Sequence, residues 1–244
     1  MNSVILGLVP LVVSISFFIH WACIRHLSSS AERLPYCRPA YMAFSVQLLL
    51  YGWVLFFAGG VGKGGHPAVL LAAAAMTFSS AGDFFNLQFP RVTKKLGETL
   101  FHGILCFAAA QGCYILALFS LVSPGELISE GFFLPLLAAL VIVPALLFRL
   151  RVYNPSRPKN IMYGAFFYGF ILGAMAAVAV SAFLARGILY APAAAGALFF
   201  LLSDAVMGET TVHGRHPVHE FQIPWITYLI AQGLLLFGIT LAAG

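Results

Sequence analysis

The sequence predicts an all-α membrane protein, an eight-transmembrane-helix bundle in which residues 1–244 form a single integral-membrane domain. Hydrophobic residues make up 61% of the chain and charged residues only 9%, whereas a soluble domain carries roughly 25% charged residues. Apolar stretches of about 20 residues, the length that crosses the core of a bilayer, recur along the chain. A soluble enzyme, a disordered chain and a nucleic-acid-binding protein are therefore excluded, and the net charge of +5 is interpreted as a topology signal.

Segments with helix-breaking or charged residues separate the apolar stretches. The first stretch has no basic leader and is too long for a typical signal peptide, so we expect it to be retained as a helix. The later boundaries carry the residues that end helices, in the order Arg38-Pro39, Gly59-Gly60, Pro67, Pro90, Pro124-Gly125, Pro155 with Pro158, and Pro217 with Pro224. The predicted spans are about 3–24, 39–58, 67–87, 99–121, 131–149, 161–185, 191–212 and 225–243.

The basic residues predict the orientation of these spans. All but two of the 13 Lys and Arg residues lie in loops that follow the first, third, fifth and seventh spans; the exceptions are Lys63 and Arg186. Since loops rich in Lys and Arg face the cytoplasm, we expect these loops to be cytoplasmic and both termini to lie on the other side. The pattern is compatible with a multi-pass protein of a bacterial inner membrane.

A spacing of polar residues suggests an internal repeat. Asp83 and Gln111 are 28 residues apart, as are Asp204 and Gln232, and the two pairs are offset by 121 residues, close to half the chain. Two parallel repeats of four helices each would produce this pattern. Coincidence is the alternative, because the Ala and Gly residues that flank each Gln are common in this chain.

Two carboxyl groups lie inside the predicted spans. Asp83 is roughly 7 Å from the cytoplasmic end of its span and Asp204 roughly 12 Å, at 1.5 Å per residue. An ionisable group in the membrane is expensive, which makes it a functional-site hypothesis by default. We interpret Asp83 and Asp204 as candidate catalytic residues. The alternative is that each only bonds neighbouring helices together.

Other polar residues fall at similar depths on neighbouring spans. Residues three or four apart share a helix face, so several of them accompany an Asp or Gln on the same face. We expect them to line a polar cavity between the spans 67–87, 99–121, 191–212 and 225–243, where they would bind a substrate. These candidate substrate-binding residues are Asn86, Gln111, Tyr114, Tyr228 and Gln232.

Two histidine patterns raise the question of a metal site. His213, His216 and His219 form an HxxHxxH sequence, but their loop contains Pro and Gly, so the spacing does not place them on one face. Ser16 and His20 form SxxxH in the first span, and no further His ligands are suitably placed within the spans. We therefore predict no metal site and no cofactor.

Four short motifs occur in order between about residues 78 and 240. They are Gly82-Asp83, Phe101-x-Gly103 followed by Tyr114, Ser203-Asp204, and Ile226-Thr227-Tyr228-x-x-Ala231-Gln232. Together they resemble the YhhN/TMEM86 family. Its characterised members are lysoplasmalogenases, multi-pass enzymes that hydrolyse the vinyl ether bond of lysoplasmalogens.

The resemblance implies a function and a site. The substrate would be a lysoplasmenylethanolamine or lysoplasmenylcholine, a lysophospholipid drawn from the surrounding membrane lipids, and the products a fatty aldehyde and a glycerophospho-base. Asp83 and Asp204 would act as the acid/base pair, as paired carboxyls do in glycosidases. The chain departs from the family at Gln111, where a His is frequent, and at Leu229, where a second Tyr usually follows Tyr228.

Two alternatives use the same residues differently. A lipid or small-molecule transporter or binding protein would use the cavity without breaking a bond, and a repeat around a central site suits that class equally well. A zinc hydrolase is the third interpretation. The family resemblance, rather than composition, favours the first.

Overall fold

A computed structural model describes residues 34–58, 66–214 and 222–244, and everything below refers to these residues. This part of the chain is helical and contains no β-strand. The helices are α1 (Leu34–Ala58), α2 (Pro67–Asn86), α3 (Pro90–Leu96), α4 (Leu100–Phe119), α5 (Pro124–Ser129), α6 (Phe133–Leu147), α7 (Lys159–Arg186), α8 (Ala191–Met207) and α9 (Gln222–Ala243).

Seven helices of the described part are long and apolar enough to cross a membrane, which indicates a multi-pass membrane protein. They correspond to seven of the eight predicted spans. The first predicted span, 3–24, lies outside the described residues. The eight-span count and the two-repeat architecture stay predictions.

Local sequence signals explain where several helices begin. Proline occupies the first position of α2, α3 and α5, where its missing N–H breaks no helical hydrogen bond. The His66 ring caps α2 by accepting from the backbone N–H of Ala68 at 3.2 Å. At α5, Ser123 and Glu126 form a reciprocal capping box. The side chain of Arg186 donates to Glu126 and lowers the pKa of that carboxyl.

Two of the membrane helices end in π-helical turns, which no sequence pattern predicted. Residues Phe148–Val152 continue α6, and residues Gly208–His213 continue α8. These turns pack against each other, and a Cβ on Gly208 would come within 2.8 Å of the Val152 side chain. A glycine at 208 therefore allows the ends of α6 and α8 to approach closely.

The long helices pack most extensively in the pairs α2 with α4 and α8 with α9, and α7 contacts α4, α6 and α8. Small residues lie at these contacts, as is usual where membrane helices approach closely. At Gly173 of α7, a Cβ would collide with the backbone carbonyl of Leu140 in α6. At Gly196 of α8, a Cβ would meet the backbone of Ala231 and Leu235 in α9.

The segments that carry basic residues meet at one end of the bundle. Arg157, which follows α6, donates to the carbonyl oxygens of Thr211 and Val212 beyond α8, at 2.9 and 3.1 Å. Arg151 pairs with Glu209 at 3.1 Å. We call this the basic end.

We predict that Gly173→Ala destabilises the bundle, because the added methyl group must displace backbone in α6. Overpacking of this kind costs about 1–3 kcal/mol. The free energy of unfolding, measured by denaturing-detergent titration, should fall by that amount. Gly112→Ala in α4 is the matched control, since a Cβ there meets nothing within 4 Å. Equal losses in both variants would contradict this packing.

Candidate active site

Asp83 is buried where three helices meet. Its side chain extends from α2 and the residue is only 2% exposed. Its Oδ2 accepts two hydrogen bonds, from the Ser45 hydroxyl of α1 at 2.6 Å and from the Tyr228 hydroxyl of α9 at 2.7 Å. Two donors on one oxygen fix the orientation of the carboxyl group and satisfy it inside the bundle.

Asp204 is held from the other side of the bundle. It lies on α8, and its Oδ2 accepts a hydrogen bond from the Tyr168 hydroxyl of α7. The Gln111 amide of α4 donates in turn to the Tyr168 oxygen at 3.5 Å, at the limit of a hydrogen bond. A chain of polar groups therefore runs from α4 through α7 to the Asp204 carboxyl.

Phe107 lies against both tyrosines that hold the carboxyl groups. Its ring centroid is 6.1 Å from that of Tyr228 and 6.5 Å from that of Tyr168. An apolar ring thus contacts the tyrosine partners of both carboxyl groups.

A cavity of about 100 Å³ opens beside Asp204. The helices that form it are α4, α6, α7 and α8, together with Asn86 at the end of α2. Most of the lining is apolar, and the polar side chains in it are Asn86, Tyr168, Asp204 and Thr211. Asp83 does not line this cavity. Of the two carboxyl groups, only Asp204 can meet a molecule bound there.

Comparison with known proteins places the chain in a family. The model of the YhhN family matches residues 38–239, most of the chain. This chain belongs to the YhhN family. No curated protein and no solved structure matches it.

Several small residues of the sequence motifs have structural reasons in this YhhN protein. A Cβ on Gly82 would come within 2.8 Å of the Phe107 ring, and one on Gly103 would collide with the Asn86 side chain. The Ser203 hydroxyl donates to the carbonyl oxygen of Pro224 at 2.9 Å and ties α8 to the start of α9. The residue before each Asp therefore helps to fix the packing around the site.

The predicted location of the cavity is wrong in one respect. We expected α9 to line it, but α9 contributes no lining residue, whereas α6 and α7 do. The reason is that polar groups of α9 are used inside the bundle. Tyr228 donates to Asp83, and Gln232 accepts from the Tyr114 hydroxyl at 2.5 Å. These bonds fill the space between α2, α4 and α9.

The five candidate substrate-binding residues therefore fall into two groups. Asn86 lines the cavity, and its Oδ1 has no hydrogen-bond partner among the described residues. The other four are buried behind the cavity wall and form the supporting network. Of these, Gln111 and Gln232 each leave one amide atom without a partner in the described part of the chain. The four are Gln111, Tyr114, Tyr228 and Gln232.

Tyr168 and Ser45 were not among the residues predicted for the site. Both are hydroxyl residues in apolar stretches, and the prediction there rested on carboxyl and amide side chains. One available signal was the repeat offset, since 121 residues also separate Gln47 from Tyr168. We find no comparable signal for Ser45.

The histidine patterns contribute nothing to the described site. The Nδ1 atom of His213 is 3.0 Å from the carbonyl oxygen of Tyr153. His216, His219, Ser16 and His20 lie outside the described residues. Among the residues that the structure describes, no three His, Cys, Asp or Glu side chains are grouped as metal ligands.

We predict that Ser45→Ala lowers the stability of the bundle by about 1 kcal/mol, the order measured for polar contacts between membrane helices. The physical reason is the loss of a donor to the buried Asp83 carboxyl. Ser79→Ala is the control. Ser79 of α2 is buried, as Ser45 of α1 is, but its hydroxyl has no partner among the described residues. Thermal unfolding in detergent measures both; a larger loss for Ser79→Ala would contradict the role of Ser45.

Proposed function

We propose that this protein is an integral-membrane lysoplasmalogenase, which hydrolyses the vinyl ether bond of lysoplasmenylethanolamine or lysoplasmenylcholine. The observation that carries the proposal is a carboxyl group, Asp204, which faces an apolar cavity inside a membrane bundle and is held there by Tyr168. Membership of the YhhN family is consistent with a hydrolase.

The reaction needs an acid, an anion and a water molecule. A proton adds to the β-carbon of the vinyl ether and leaves a positive charge shared by the ether oxygen and the adjacent carbon. Water attacks that carbon and loses a proton. The hemiacetal then breaks its bond to the glycerol oxygen; its hydroxyl loses a proton, the glycerol oxygen gains one, and the products are a fatty aldehyde and a glycerophospho-base. The cationic transition state resembles that of glycosidases.

Asp204 is assigned the role of the acid because it lines the cavity. Tyr168 donates to Oδ2 of Asp204, so the transferable proton would sit on Oδ1. The supporting bond from Gln111 to Tyr168 orients this pair. After the proton has left, the Asp204 carboxylate faces the cation that it has just created and can accept a proton from the attacking water.

Asp83 is assigned an electrostatic role. Its Oδ2 accepts from two hydroxyls, which would stabilise a carboxylate at this position. Since Asp83 does not line the cavity, it would act through its charge, which would stabilise the developing cation. Fixed charges in a water-poor site are effective in this way because they need no reorganisation during the reaction.

Asn86 is assigned the role of positioning the water or the ether oxygen. Its Oδ1 is buried against Gly103 and has no partner among the described residues. Its amide nitrogen contacts the Met207 sulfur at 3.6 Å. Because a thioether sulfur is a weak acceptor, this N–H would be free to donate to the ether oxygen or to a water molecule instead.

The substrate would enter sideways from the membrane. One wall of the cavity is α6. Only 11% of its membrane-spanning segment is buried inside the bundle, compared with 39–56% for the other described spans. A single-chain amphiphile could pass beside this helix and leave its headgroup at the basic end. With the orientation predicted from the basic loops, that end faces the cytoplasm of a bacterial cell and both termini lie outside.

A transporter or lipid-binding protein would use the same apolar cavity without cleavage. It would bind the lysolipid, release no aldehyde and tolerate at least one of the two Asp→Asn changes. These outcomes separate it from the enzyme.

We expect the purified protein to release a fatty aldehyde from lysoplasmenylethanolamine, with one deuterium at the carbon next to the aldehyde when the reaction runs in D2O and the product is trapped at once. Asp204→Asn should lower kcat at least about 100-fold, the usual contribution of a general acid. Asp83→Asn should lower kcat as well, with both variants checked for intact folding.

The matched control is Glu130→Gln, which removes an exposed carboxyl group in the segment between α5 and α6. It should retain full activity. Wild-type rates in both Asp variants would rule out the proposed mechanism, and binding without product would favour the transporter.

A further inference from the structure

A polar cleft of about 280 Å³ lies at the basic end of the bundle, next to the Asp204 cavity. The two spaces share the side chains of Asn86, Met207 and Thr211 as lining. They therefore adjoin at the residues where the apolar cavity ends. We call this second space the headgroup cleft; its charged lining residues are Arg38, Glu98 and Arg157.

The three charged side chains in the cleft are not equivalent. Arg157 is anchored, since its guanidinium donates to the carbonyl oxygens of Thr211 and Val212. Its remaining contact, with Glu98, is 3.9 Å long, well beyond the roughly 2.7–2.9 Å of a strong ion pair. Arg38 makes no hydrogen bond or ion pair with any described residue. Within the described part of the chain, the cleft thus offers a cation without a partner and a weakly paired anion.

The wall of the cleft contains an unusual backbone conformation. Gln88 has φ of 47°, the only positive φ of a non-glycine residue in the described part of the chain. Gln88, Arg38 and Glu98 also line a more open space of about 480 Å³ on the outer side. Left-handed conformations at non-glycine residues are costly and are concentrated at functional sites.

We propose that the headgroup cleft binds the zwitterionic headgroup of the lysolipid, with Arg38 on the phosphodiester and Glu98 on the ammonium group. This inference rests on the proposed function, since it places the vinyl ether beside Asp204. An amphiphile with its chain in the apolar cavity must leave its polar end where that cavity meets the cleft. The guanidinium and carboxylate provide one partner for each charge of the headgroup.

The headgroup portion alone tests the cleft without requiring catalysis. Glycerophosphoethanolamine should bind the purified, detergent-solubilised protein in calorimetric titration, and glycerol should not. Arg38→Gln should weaken this binding at least about tenfold, as expected for loss of a charge-assisted contact. Arg91→Gln is the control. Arg91 is an exposed arginine of α3 at the same end of the bundle, and it lines neither the headgroup cleft nor the more open space beside it.

Two further ligands define the chemistry of the site. Glu98→Gln should weaken binding of glycerophosphoethanolamine but not of glycerol 3-phosphate, which has no ammonium group. Inorganic phosphate should bind the wild type more weakly than glycerophosphoethanolamine. If phosphate binds equally well, the cleft is a free-anion site. Equal effects of Arg38→Gln and Arg91→Gln would show only attraction to a basic surface, and either result overturns the proposal.

Kinetics separate this proposal from the proposed function. With 1-alkenyl-glycerophosphoethanolamine, Arg38→Gln should raise KM about tenfold and leave kcat unchanged; with 1-alkenylglycerol, it should change neither. If Arg38→Gln hydrolyses both substrates with the KM of the wild type, the headgroup cleft is refuted and the lysoplasmalogenase is retained. Absence of aldehyde from either substrate, with headgroup binding as predicted, would refute the enzyme and retain the cleft.

Discussion

Buried carboxyl groups in a membrane bundle must find their hydrogen-bond donors on neighbouring helices, because the surrounding hydrocarbon offers none. Asp83 meets this requirement through hydroxyls of α1 and α9, and Asp204 through a tyrosine of α7 that is supported from α4. The two carboxyls thereby connect six of the seven described membrane helices. The remaining one, α6, is the most exposed and forms a wall of the cavity.

The same network divides the work between the two aspartates. Asp83 is enclosed by its donors, so in our proposal it contributes only through its charge. Asp204 has a cavity beside it and is available for proton transfer in our proposal. Phe107 contacts the tyrosine partners of both, and it fits there because residue 82 is a glycine. A side chain at position 82 would displace the ring that both polar chains share.

Much of the fold could be predicted from the sequence because membrane spans depend on local composition. Proline and basic residues marked most helix boundaries to within a few residues, and the scarcity of intramembrane charge identified Asp83 and Asp204 as candidates. The boundary predicted at Arg38-Pro39 was wrong, because α1 begins at Leu34 and continues through Pro39. The site could be predicted only in part, because a hydroxyl such as Tyr168 becomes important only when α7 packs against α8. The same holds for Tyr228 and Gln232, whose bonds inside the bundle exclude α9 from the cavity wall. Hydrogen bonds between residues of different helices depend on how the helices pack, so the sequence of one span does not predict them.

In the proposed mechanism, the reacting carbon of the substrate lies beside Asp204 rather than Asp83. Photo-crosslinking tests this most directly, with a lysophospholipid analogue that carries a diazirine in place of the vinyl ether and with mass spectrometry to locate the label. We expect labelling of the cavity wall near Tyr168 and Asp204, and competition by lysoplasmenylethanolamine. Label concentrated around Asp83 and Tyr228, or spread only over the lipid-facing surface, would contradict it.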